Sequence, residues 1–140
     1  MNTIRPSSLL KSALLADAVV SGATGLLQLV ATGSLAALLN LPLAGLAATG
    51  EFLVAYALLL LVLATRQSLW AGLVGFIVFG NGVWGLGCIA LLLGGALSAN
   101  ALGVAFVLMQ ATAVAVFAGL EWRGLRCSLP AGAAARAATF

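Results

Sequence analysis

The stretch LADAVVSGATGLLQLV, Leu15 to Val30, has the apolar density of a membrane-spanning helix, yet it carries an aspartate, a serine, a threonine and a glutamine. Asp17, Ser21, Thr24 and Gln28 follow steps of four, three and four residues, so on a helix all four share one side. What this polar stripe faces is the central question the sequence poses.

Working outward, the chain has 140 residues, of which 64% are hydrophobic and only 6% charged. An ordinary soluble domain carries about 25% charged residues, so this chain belongs in a bilayer. Crossing about 30 Å of hydrocarbon takes about 20 helical residues, which leaves room for about four spans and no soluble domain. Four apolar segments are expected: about Ser8 to Ala31, Leu43 to Ala64, Leu69 to Leu93 and Ala101 to Trp122. Together they form one transmembrane domain over residues 1–126, with 127–140 as a flexible cytoplasmic tail. The connections TGSLAALLNLP, TRQSLW and GGALSAN are short, and Asn40 and Pro42 in the first suit a turn and a helix start. Short links between antiparallel neighbours predict an all-α, up-down-up-down four-helix bundle.

Arg5, Lys11, Arg66, Arg123, Arg126 and Arg136, all six basic residues, fall on one side of this arrangement. The positive-inside bias therefore predicts one orientation with both termini cytoplasmic. The net charge of +3 has the same origin: cations at membrane boundaries can meet anionic lipid headgroups, and nucleic acid is not an expected partner. Arg5 and Lys11 before an apolar run imitate a secretory signal, but that run is too long and carries Asp17, so it reads as a first spanning helix. Cys88 lies within the third span and Cys127 on the cytoplasmic side, too far apart for a disulfide.

Converted to depth from the cytoplasmic end, Asp17 lies about 13 Å in, Ser21 about 20 Å and Thr24 about 24 Å; Glu51, Asn81 and Gln110 fall at about 18 to 20 Å. Four helices thus offer polar groups at similar depth. An acid facing lipid at the helix centre costs about 2.5 to 3.5 kcal/mol, which predicts that Glu51 and Asp17 face the bundle interior. Glu51 is expected to bond Asn81 or Gln110, and Asp17 to bond Ser21 or water. Neither acid has a lysine, arginine or histidine at its depth, so both are candidate proton-responsive groups. Taken singly, Ser21, Thr24, Asn81 and Gln110 read as interhelical glue, at about 0.6 kcal/mol per bond. Tyr56, near the middle of the second span, reads as a phenol bonded within the bundle.

Small or polar residues at four-residue spacing, such as Ala18 with Gly22, Ser21 with Gly25, and Asn81 with Gly85, predict close helix approach. FGNGVWGLG, Phe79 to Gly87, holds four glycines in nine residues and makes the third helix locally thin. Trp84 either fills the space the glycines leave or forms the aromatic wall of a ligand pocket beside Glu51. Trp70 and Trp122 sit at interfacial positions, and Glu121, beside Trp122 and Arg123, is expected there too, paired with an arginine.

The order Asp17, Ser21-Gly22, Leu41-Pro42, Gly50, Asn81 with Trp84, Gly103 and Gln110 resembles a pattern shared by small bacterial four-span integral membrane proteins. This resemblance implies architecture and a bacterial inner membrane and carries no activity. The chain is also similar to small multidrug transporters in size, helix number and an intramembrane acid. It departs from them because their glutamate lies in the first span, where this chain has Asp17, and because its basic residues are all on one side.

Without histidine, haem and zinc lose their commonest ligand, and no phosphate loop, dinucleotide fingerprint or nucleophile elbow is present. The expectation is therefore no cofactor and no metal. The sequence reading is a non-enzymatic membrane protein whose polar site binds or translocates a small amphipathic or cationic ligand, with Glu51 and Asp17 as proton-responsive groups. Two alternatives stay open. One is an accessory or assembly subunit of a homodimer or larger membrane complex; the other is a small lipid-modifying enzyme. Membrane lipids are partners under every reading.

Overall fold

The computed structural model describes residues 2–130. Five helices, α1 (Ser8–Val30), α2 (Thr32–Leu39), α3 (Leu43–Thr65), α4 (Ala71–Leu93) and α5 (Ala101–Arg126), are accompanied by three short strands, β1 (Thr3–Arg5), β2 (Leu69–Trp70) and β3 (Leu129–Pro130). α1, α3, α4 and α5 are long and apolar enough to cross a membrane. The chain is an all-α four-helix bundle, as its apolar pattern predicts.

Capping residues set where the helices begin. The Ser7 side chain accepts from the Leu10 amide, and its hydroxyl donates to the Gly124 carbonyl at 2.8 Å, tying the start of α1 to the end of α5. Asn100 caps α5 by accepting from the Gly103 amide at 2.9 Å. Pro42 precedes α3, where the first helical turn requires no donor from it.

Part of the first connection is helical rather than irregular. Residues 32–39 are mostly alanine and leucine, good helix formers, and the chain reverses only at Asn40, which takes the left-handed conformation at φ 51°. The Asn40 side-chain amide donates to the Ser98 carbonyl. Asn100 returns the contact, donating from its side chain to the Leu38 carbonyl at 2.7 Å and from its backbone to Leu39 at 3.2 Å. Two asparagines thus fasten α2 to the α4–α5 connection at the end of the bundle away from the termini.

At the other end the strands form a small antiparallel sheet in the order β2-β1-β3, with Ile4 opposite both Leu69 and Pro130. Leu129 and Pro130, expected in a free tail, are therefore paired to β1; the remainder of that tail lies outside the described residues. Ile4 and Leu69 join Leu10, Leu14, Leu60, Leu63, Val74 and Ile77 in the main apolar core, which closes this half of the molecule.

α1 is the central helix, packed against both α3 and α5, while α4 packs against α5. Close approach of α1 and α3 depends on paired glycines. A Cβ at Gly25 would lie 2.9 Å from the Gly50 carbonyl oxygen and 3.0 Å from the Val54 nitrogen. The fourth side, between α3 and α4, is bridged by long side chains instead. Along α4 only Val74, Ile77 and Asn81 are buried; beyond Asn81 it stays packed on α5 at Gly85, where a Cβ would lie 3.2 Å from Val114, while Leu86, Leu91 and Leu93 are exposed.

Candidate functional site

Just above the apolar core, four helices bring polar side chains to one point. Ser21 donates to Asp17 Oδ1 at 2.8 Å, one turn along α1. The Tyr56 hydroxyl on α3 lies 3.0 Å from Asp17 Oδ2 and 3.1 Å from Asn81 Oδ1; having one proton, it donates to one of them at a time. Asn81 Nδ2 on α4 donates to Asp17 Oδ2 at 3.0 Å and to Glu121 Oε2 on α5 at 3.2 Å. Asp17 and Glu121 are both fully buried. Every recorded partner of the two carboxyls is neutral, and Glu121 Oε1 has none.

The helical periodicity explains how these groups converge. On α4, Asn81 continues the buried stripe of Val74 and Ile77. On α5, Glu121 continues the stripe of Gly103, Val107, Ala111 and Val114. That stripe is the sequence signal that could have placed Glu121 inside. Its neighbours Trp122 and Arg123, both exposed, suggested the interface instead, and the expected arginine pairing is replaced by Asn81.

Glu51 is the other correction. It is exposed, on the outer face of α3 with Ala55, Leu58 and Val62, at steps of four, three and four. Its direction is about 100° around the helix from inward-facing Gly50. Thr24 also stays out of the network, since its hydroxyl donates to the Val20 carbonyl on its own helix at 2.8 Å.

Beside the network, towards the α2 end, a cavity of about 550 Å³ lies between α3 and α4. Leu46 and Phe52 line one wall, Val83, Trp84 and Leu91 the other, and Gln28, Val107 and Gln110 the inner face. Gln110 thus belongs to the cavity and not to the acids. Gly80 and Gly87 also line it, and nothing would meet a Cβ at either, whereas Gly85 is a packing position where a Cβ would lie 3.2 Å from Val114. Trp84 does line a pocket, but one without Glu51. Cys88 contributes a free thiol to its wall.

A stack of three rings connects the two regions. Trp84 lies over Phe52 at 5.3 Å and 9° between planes, and Phe52 over Tyr56 at 6.0 Å and 8°. Its far end is therefore the phenol that reaches Asp17. Two residues that line the cavity each bury a polar atom without a partner, Gln28 Nε2 and Trp84 Nε1; Gln28 Oε1 accepts from Thr49 at 2.7 Å. An unpaired buried donor costs about 1 to 3 kcal/mol.

Among the described residues no group of three or more cysteine, aspartate or glutamate side chains is arranged to hold a metal. Comparison with protein-family models, curated proteins and solved structures finds no match.

Proposed function

We propose that this membrane protein binds a small amphipathic molecule in the cavity between α3 and α4, with the buried Asp17–Glu121 pair as its proton-responsive element. The carrying observation is the cavity itself: its size falls within the range of about 300 to 1,000 Å³ common for ligand sites, and its walls are apolar with a few polar groups on the inner face. The opening between α3 and α4 gives an apolar molecule a route from the bilayer. The ring stack ending at Tyr56 gives movement in the cavity a physical path to the carboxyls.

The test is binding of single-chain amphiphiles to the protein in lipid nanodiscs, with empty nanodiscs as the partition control. Gly80→Leu and Gly87→Leu would fill the cavity without meeting protein atoms at Cβ, so they should abolish saturable binding and leave the unfolding temperature unchanged. Binding that survives both substitutions places the ligand elsewhere. A pH series adds the second element: Asp17→Asn with Glu121→Gln should flatten any pH dependence of binding.

One observation favours a second reading, an accessory subunit of a membrane complex. Glu51 presents a carboxyl on the outer face of α3, where a facing protein carrying a donor would relieve its exposure to lipid. Under this reading Glu51→Gln weakens co-purification with a membrane partner and leaves amphiphile binding intact.

A further inference from the structure

We infer that the polar junction of the four helices is a site for one proton, carried by Glu121 and shared with an ionised Asp17. The inference deepens the proton-responsive role proposed for this pair and rests on that reading.

The donors around the two acids are unequal. Ser21 donates to Asp17 Oδ1, and both Asn81 Nδ2 and the Tyr56 hydroxyl lie against Oδ2, so three donors can face this one carboxyl. Glu121 receives only the second Asn81 hydrogen, at Oε2, and its Oε1 is buried without a partner. An ionised carboxylate in an apolar interior needs donors, whereas the acid form brings one of its own. The charge therefore belongs on Asp17 and the proton on Glu121. The two carboxyls also lie within hydrogen-bonding reach of each other, a contact that two ionised groups would oppose and one shared proton closes.

The other groups at the junction leave this count unchanged. α3 contributes the Tyr56 phenol and α4 only the neutral Asn81, and no lysine or arginine among the described residues pairs with either acid. A second proton, on Asp17, would add a donor where three already point. Turning the Asn81 amide over would demand a proton on each acid, both directed at its oxygen, and would leave the contact between the carboxyls without one. A metal cation takes oxygen ligands, but the Asn81 NH2 stands between these acids, and the cavity between α3 and α4 reaches neither of them.

The experiment follows side-chain carboxyl carbons by NMR in nanodiscs, without ligand, in protein made by cell-free synthesis with 13C-carboxyl aspartate and glutamate. The chain has one aspartate and two glutamates, so in a Glu51→Gln background each label gives one side-chain signal. At neutral pH the Asp17 carbon should have the shift of a carboxylate and the Glu121 carbon that of a carboxylic acid. Ser21→Ala with Tyr56→Phe removes two of the three Asp17 donors and should move the proton, shifting Asp17 towards the acid and Glu121 towards the carboxylate. Each single variant should move it part of the way, which keeps the test available if the double variant does not fold. Replacing potassium with sodium should shift neither carbon. Two carboxylate signals, two acid signals or an acid signal at Asp17 overturns the assignment, and a sodium-dependent shift gives the site to a cation instead. All of these outcomes leave amphiphile binding in the cavity standing. Absence of saturable amphiphile binding, with the proton found on Glu121, overturns the proposed ligand and keeps the proton site.

Discussion

Asp17 on α1 and Glu121 on α5 share one donor group: Asn81 Nδ2 lies 3.0 Å from one carboxyl and 3.2 Å from the other. The helices carrying the two acids meet at the centre of the bundle, and the amide arrives from a third. A single neutral side chain therefore stands where a cation would be expected between two acids. The stability of the bundle should depend on it more than on either acid alone.

Asn81→Leu should accordingly destabilise the protein by about 3 kcal/mol, since it strands two buried carboxyls together. Glu121→Gln keeps an acceptor for Asn81 and should cost less than about 1 kcal/mol. Reversible unfolding in mixed micelles checks the contrast, and equal losses for the two variants would contradict the shared-donor arrangement.

Tyr56→Phe removes the hydroxyl that reaches Asp17 but leaves a ring to stack on Phe52. The expected loss is about 1 kcal/mol, with binding in the cavity retained. Loss of cavity binding in this variant would show that the hydroxyl, and not the ring, shapes the site.

Glycines at packed and open positions should respond oppositely to bulk. Gly25→Val places side-chain atoms against the Gly50 backbone, and overpacking of this kind costs about 1 to 3 kcal/mol. Gly80→Val, in open space, should leave the unfolding midpoint within about 0.5 kcal/mol of the parent. Thermal scans of both variants in one detergent provide the comparison.

Orientation is tested at three exposed serines. Single cysteines at Ser34 and Ser98, introduced into a background lacking Cys88 and Cys127, should label with an impermeant reagent from outside intact cells expressing the protein, and one at Ser68 should not. Equal labelling of Ser68 would indicate inverted or mixed insertion.

The residues alone were enough to read four helices long and apolar enough to cross a membrane, and their approximate limits, because hydrocarbon thickness and the rise of a helix fix the length of apolar run a span needs. They also placed Asp17 and Ser21 on one face, since that relation lies within one helix. Direction around the other axes was decided by tertiary packing. Glu51 was misread because depth says nothing about azimuth, and α3 turns Gly50 towards α1 instead. Glu121 was misread because its exposed neighbours outweighed the three- and four-residue stripe that carries it inward. The small sheet joining β1, β2 and β3 was not legible either, because two- and three-residue strands have too little period to detect. The cavity exists because α3 and α4 pack on α1 and α5 rather than closely on each other and are joined mainly by side chains, those of the apolar core near the termini and Phe52 on Trp84 beside the cavity, a consequence of how all four helices pack and not of any segment alone.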